Sequence, residues 1–213
     1  MDVNIRVAGE AGQGVQTTGE LLVKAFAGLG LHVASTRSYL SRVRGGLNWQ
    51  DVRISDGPLQ AGRDDADVLV ALSDAARDVL AGGLAAGGRV IYNGEADGDG
   101  DVIAIDLEAA AQDAGGKKVM ANAVAAGAVF ALLGYDAQGL RGPLAEAFAD
   151  EGEEVVEQNL ACGHKGAELL GDQAGSLTAP EPADAPKTVL TGSEAAGLGA
   201  ATAGVKLVAA YPM

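Results

Sequence analysis

Apolar and polar residues alternate over residues 3–8 (V-N-I-R-V-A) and then meet a glycine-rich run, the pattern of a sheet strand that ends in a turn. Residues 15–27 change to helical spacing, with Leu21, Leu22, Ala25, Phe26 and Leu29 on one stripe and Gly28 and Gly30 as a terminal signal. A second strand is expected over 32–36, parallel to the first through a right-handed crossover. Alternation returns over 47–54 (L-N-W-Q-D-V-R-I). The run 67–72 is apolar enough for a buried central strand. Ser73 and Asp74 start a short helix to about Leu80, and strands are expected at 89–92 and 102–105.

From Met120 the period is helical, giving helices over 120–133, 140–148 and 153–170, with Pro143 allowed in a first turn. Residues 172–187 hold three prolines and no apolar period, the composition of a linker. The last 26 residues, 188–213, read as a helix and then a strand. One such unit cannot bury its own apolar face. The expected fold class is therefore α/β: three layers, a largely parallel sheet with helices on both faces, a helical C-terminal part and a linker. The expected domains are 1–171, a linker at 172–187 and the start of a second domain at 188–213.

The turn after the first strand, V-A-G-E-A-G-Q-G-V-Q-T-T-G, carries the candidate chemistry. Gly9, Gly12 and Gly14 let a ligand approach the main chain, and the following helix aims its free N–H groups and positive dipole end at the turn. Such a site suits a phosphate. It is no Walker A loop, because Val15 and Gln16 follow Gly14 where lysine and serine or threonine are required. Thr17 replaces the third glycine of a dinucleotide fingerprint, and the second strand ends in Arg37 without an acid for a ribose. A plain NAD site is disfavoured, while Arg37 leaves NADP open. The alternative is that the glycines only make a tight turn.

Charge alters the picture in one place. The chain carries a net −14, which argues against nucleic acid and anionic membrane surfaces as partners. Yet Arg37, Arg42, Arg44, Arg53 and Arg63 face only Asp51 and Asp56 between positions 37 and 63, an island of +3 in a chain whose remainder is −17. Either the island meets a polyanion or an acidic partner, or its arginines pair with carboxylates of the chain itself. The loop R-S-Y-L-S-R-V-R-G-G leaves the second strand at the same carboxyl edge as the glycine turn, where ligands of open α/β sheets bind. Trp49 reads as a packing residue. The acidic loop 95–101 lacks the spacing of a calcium site. Cys162, the one cysteine, can form neither an internal disulfide nor a cluster by itself, so any redox centre must sit on another chain. No apolar run reaches membrane-spanning length and no signal sequence is evident, so a cytoplasmic location is expected.

Taken together, V-A-G-E-A-G-Q-G-V, then S-Y-L-S-R-V-R-G-G, the helix with M-A-N-A and the segment G-E-E-V-V-E-Q-N-L resemble the gamma-type domain of 2-oxoacid:ferredoxin oxidoreductases. The tail T-G-S-E-A-A-G-L-G-A-A-T-A-G-V-K-L-V-A-A-Y-P looks like the opening of that family's alpha region, a thiamine pyrophosphate-binding domain. The resemblance implies one part of a multi-subunit enzyme that turns a 2-oxoacid into an acyl-CoA, inactive alone, with no catalytic residue and no metal in this chain. Thiamine pyrophosphate, Mg and iron–sulfur clusters would lie on partner alpha and beta subunits, which pass electrons to ferredoxin. It implies a coenzyme A (CoA) contact set of Gly9, Gly12, Gln13, Gly14, Gln16, Thr17, Ser38, Tyr39, Arg42, Arg44, Gly45 and Asn122. The other reading is a scaffold whose arginines dock partner subunits.

Overall fold

The structure, a computed structural model, describes residues 1–39, 46–95 and 101–211. Six strands form one sheet: β1 (Asp2–Glu10), β2 (His32–Tyr39), β3 (Leu47–Ser55), β4 (Ala66–Ala71), β5 (Leu84–Tyr92) and β6 (Val102–Ala104), in the order β2-β3-β1-β4-β5-β6. β1, β4, β5 and β6 pair in parallel, whereas β3 runs antiparallel to both of its neighbours, β1 and β2. The first two strands thus share a direction as expected, but β3 lies between them.

The helices are α1 (Val15–Gly28), α2 (Asp74–Leu80), α3 (Leu107–Asp113), α4 (Ala121–Leu132), α5 (Arg141–Ala147), α6 (Glu153–Leu169) and α7 (Gly192–Thr202). α3, capped by Asp106, begins well before the point at which periodicity suggested helix. The two faces of the sheet are unequally covered. On one, Val3, Ile5, Val7, Val52, Ile54, Val68 and Val70 join the thick core built with α1, α3, α4 and α6. There Phe26 stacks on Phe130 with centroids 4.9 Å apart, and Tyr135 meets both rings edge-on at 5.9 Å. The other face holds the smaller cluster of Ala8, Leu47, Leu69, Ala71, Val90 and Tyr92, under the short helix α2 through Ala76.

The proline-rich stretch returns along the helix layer. Gly175 and Leu177 donate to the carbonyls of Ala131 and Leu132, and Ala183 and Lys187 to those of Leu29 and Ala27. Carbonyls at a helix C-terminus lack intrahelical donors, and these N–H groups supply them for α1 and α4. α7 is closed by a capping box between Thr191 and Glu194 but buries none of its residues. Residues 205–211, expected to form a strand, take no sheet pairing and are exposed. No helix among the described residues is long and apolar enough to cross a membrane.

Candidate functional site

β1 ends at Glu10, and the chain turns through Gly12 (φ 94°) and Gly14 (φ 83°), left-handed conformations that a side chain would strain. Gly14 is the N-cap of α1, so no side chain caps the helix, and its first turn contains no acidic residue. The positive end of α1 is left open. It faces a cleft of about 350 Å³. One wall is the turn itself, Glu10 to Gly12 and Gly14 to Thr17; the other is the end of the β2–β3 ribbon, with Arg37, Tyr39, Asn48, Trp49 and Gln50.

Of the residues expected to touch a ligand, the cleft brings together Gly12, Gly14, Gln16, Thr17 and Tyr39. Others stand behind it. Gln13 folds back into the turn, its N–H donating to the Glu10 carbonyl at 3.1 Å and its Oε1 accepting from the Glu10 N–H at 2.7 Å. Gly9 is the space into which that side chain fits, since a Cβ there would lie 2.8 Å from Gln13 Oε1. Asn122 is the second residue of α4 and does not cap it, Met120 being the N-cap. Its amide lies so close to Gly14 that a Cβ at that glycine would collide with it. Ser38 sits opposite Trp49 on the other face of the ribbon from Tyr39 and does not line the cleft. Arg42, Arg44 and Gly45 lie outside the described residues, as does most of the acidic loop.

The three described arginines of the island, Arg37, Arg53 and Arg63, are held in internal pairs. Arg53 pairs with Asp2, and Arg63 with Asp2, Asp65 and Asp67, at the sheet edge opposite the cleft. The hydrogen bonds to Asp65 and the charge of Asp67 push the Arg63 guanidinium above its usual pKa. Arg37 alone of the described three reaches the cleft, and it is held by Glu20. Trp49 lies beneath the Arg6 guanidinium, 5.8 Å from the ring centroid, in agreement with a packing role.

Sequence reasoning passed over Asn48 and Gln50. Gln50 is only 2% exposed, and its Oε1, like Oδ1 of Asn48, is buried without a hydrogen-bond partner among the described residues. The available signal was a change of parity in L-N-W-Q-D-V-R-I: Leu47 and Trp49 point to one face, but Val52 and Ile54 to the other, which is also the face of Asn48 and Gln50.

Nothing of this kind surrounds Cys162. It is fully buried, its Sγ lies 3.7 Å from the Ala111 carbonyl, and burial pushes its thiol pKa up. His164 points to Gln138 and Lys165 to Glu168. Among the described residues no three His, Cys, Asp or Glu side chains are grouped so as to hold a metal ion.

The family model for pyruvate ferredoxin/flavodoxin oxidoreductase matches residues 4–169, the sheet and helix layers that carry this cleft. The chain belongs to that oxidoreductase family. It is 42% identical over 76 residues to 2-oxoglutarate synthase subunit KorC of Archaeoglobus fulgidus, covering 35% of this chain and 41% of the relative. It is 32% identical over 175 residues to ketoisovalerate oxidoreductase subunit VorA of Methanothermobacter thermautotrophicus, covering 78% and 36%. It also resembles the solved 2-oxoglutarate:ferredoxin oxidoreductase of Magnetococcus marinus with 2-oxoglutarate, coenzyme A and succinyl-CoA bound, at TM-score 0.83 and 28% identity over 96% of this chain and 38% of that one. The chain therefore spans about two fifths of the length of these oxidoreductase relatives.

Proposed function

We propose that the chain is the gamma-type domain of a multi-subunit 2-oxoacid:ferredoxin oxidoreductase and that its cleft holds the phosphates of CoA. The observation that carries this reading is the uncapped N-terminus of α1, open to a cleft that also contains Arg37. A phosphate there gains free N–H donors, the helix dipole and a guanidinium. The Magnetococcus relative, with CoA and succinyl-CoA bound, supports the choice of ligand. Gly12, Gly14, Gln16 and Thr17 would lie nearest the phosphates, with Arg42, Arg44 and Gly45 of the following loop as further partners. On this reading Gly9, Gln13 and Asn122 hold the turn in shape.

The chain would not turn over substrate alone. In this reading thiamine pyrophosphate with Mg, and the iron–sulfur clusters that reduce ferredoxin, belong to alpha and beta partners in the cytoplasm, since one buried cysteine cannot ligate a cluster. Residues 188–213 read as the opening of an alpha-type thiamine domain. Their exposed apolar side chains support a partner there: Leu198 is 59% exposed, Leu207 84% and Tyr211 87%.

Calorimetric titration of the chain with CoA, dephospho-CoA and NADP at low salt tests the proposal. CoA should bind, more weakly without its 3′-phosphate. Absence of CoA binding, together with salt-sensitive association with partner subunits, would replace it with the scaffold reading.

A further inference from the structure

We infer that β2 is the docking edge for a second copy of this chain, which pairs with it antiparallel about a two-fold axis at Ser35 and continues the sheet. The pairing is independent of the ligand that the cleft holds.

β2 forms one border of the sheet and β6 the other. β6 has only three residues, and shortness of this kind blunts a border strand. β2 has eight, H-V-A-S-T-R-S-Y, without proline or lysine, and its register against β3 is unbroken. Ser35, Thr36 and Arg37 are exposed. Pairing within the sheet fixes which main-chain groups lie on the outer side. In β1 the Asn4 N–H donates to Asp67 and the Ala8 carbonyl accepts from Leu72, so the even-numbered residues turn toward β4. Val3, Ile5 and Val7 then bond to Ile54, Val52 and Gln50 of β3. By alternation Arg53, Asp51 and Trp49 bond to Ala34, Thr36 and Ser38 of β2. The N–H and C=O groups of Val33, Ser35 and Arg37 therefore point outward from the border, and no main-chain group meets them among the described residues. Such a border is a template for another strand.

Its register selects a second copy. With the axis at Ser35, Ser35 faces Ser35 of the other copy and Arg37 faces Val33, so all three outward residues exchange both of their bonds. Thr36 then lies opposite Ala34, and no like charges meet. An axis at Arg37 would set two guanidinium groups face to face, which is unfavourable. The two-fold keeps both helix layers on one side of the continued sheet. α1 packs on β2 and β3, so the two α1 helices stand roughly 10–14 Å apart and clear each other. Val33 of the other copy comes to stand beside Arg37, on the β2 flank of the cleft.

Sedimentation equilibrium of the full chain should show a dimer with a dissociation constant of roughly 10–100 μM, since a seam over residues 32–38 is smaller than a standard interface. Register is read by cysteine pairing. Thr36 and Ala34 of opposite copies form a non-hydrogen-bonded pair with Cα atoms about 4.5 Å apart, within disulfide reach. A mixture of the Ala34→Cys and Thr36→Cys variants, their folding checked by thermal melting, should therefore give a disulfide-linked dimer on mild oxidation. Either variant alone should give little, and the parent none, because Cys162 is fully buried. A parent chain that stays monomeric up to about 1 mM overturns the inference. So does a Thr36→Cys variant that links alone as readily as the mixture.

Discussion

The Arg37 guanidinium donates to the Glu20 carboxylate at 2.6 Å, so the described arginine that reaches the cleft is already engaged. Gln16, from the first turn of α1, donates to the same carboxylate oxygen at 3.0 Å. Glu20 therefore competes with any anion that enters. The side chains of Arg37 and Glu20 are 37% and 49% exposed, and exposed pairs contribute only about 0–1 kcal/mol. Such a pair is readily exchanged for a ligand phosphate. Glu20→Gln should tighten CoA binding by roughly three- to tenfold at low salt, with the gain shrinking at high salt. Arg37→Ala should act in the opposite direction. Unchanged CoA affinity in Glu20→Gln by titration would disconnect Arg37 from the ligand.

Arg6 and Asp51 form a different kind of pair. Arg6 Nε and Nη2 donate to the two Asp51 oxygens at 2.7 and 3.2 Å, Nη2 also reaches the Asp64 carbonyl, and the side chains are only 10% and 14% exposed. Removing one partner strands a buried charge. Asp51→Ala is expected to cost about 3 kcal/mol in urea unfolding, and the double variant Arg6→Met, Asp51→Leu to recover most of it. A loss below about 0.5 kcal/mol in the single variant would mean that water reaches the guanidinium.

α4 and α6 meet through glycines. A Cβ on Gly127 would strike the Gly163 backbone, and one on Gly166 the Val124 carbonyl. Neither neighbour can rotate away, so Gly127→Ala must push the helices apart. About 1–3 kcal/mol of stability should be lost in chemical denaturation, with the cleft, whose walls are the β1–α1 turn and the β2–β3 ribbon and which α4 meets through Asn122 behind Gly14, still able to bind. Abolished ligand binding in a variant that remains folded would contradict that separation.

How much was legible follows from which interactions are local. The β1 turn and the start of α1 were readable because alternation, glycine spacing and the helical stripe lie within 30 residues of one another. The insertion of β3 between β1 and β2 was not, since both a parallel pair and this arrangement leave those strands running the same way. Strand register also conceals pairings. Arg53 finds Asp2, 51 positions away, and Arg6 finds Asp51 across β1 and β3. The three described arginines of an island that looked cationic in sequence are therefore paired in space. Asn48 and Gln50 alternate with Leu47 and Trp49, and only the switch of face at Val52 shows that they share the face of Val52 and Ile54. The seven-residue α3 was marked only by the Asp106 cap.

Tyr135 ties the proline-rich stretch to the helix layer and makes that tie sensitive to alkali. Its hydroxyl donates to the Pro180 carbonyl, its ring packs on Phe26 and Phe130, and burial pushes its pKa up to about 12 from an ordinary 10. Only the neutral phenol can donate this bond. In the unfolded chain the tyrosine ionises near pH 10, whereas in the folded protein it stays protonated until about pH 12. The contribution is thus complete below pH 10 and is lost as the pH rises from 10 to 12. Denaturation midpoints should fall across that window more steeply in the parent chain than in Tyr135→Phe, whose side chain does not titrate. The variant should also cleave faster at 172–187 under limited proteolysis at neutral pH, because the anchor to Pro180 is gone. Parallel pH curves for the two proteins would show that the Tyr135 hydroxyl is equally solvated in both states, contrary to its position against Pro180.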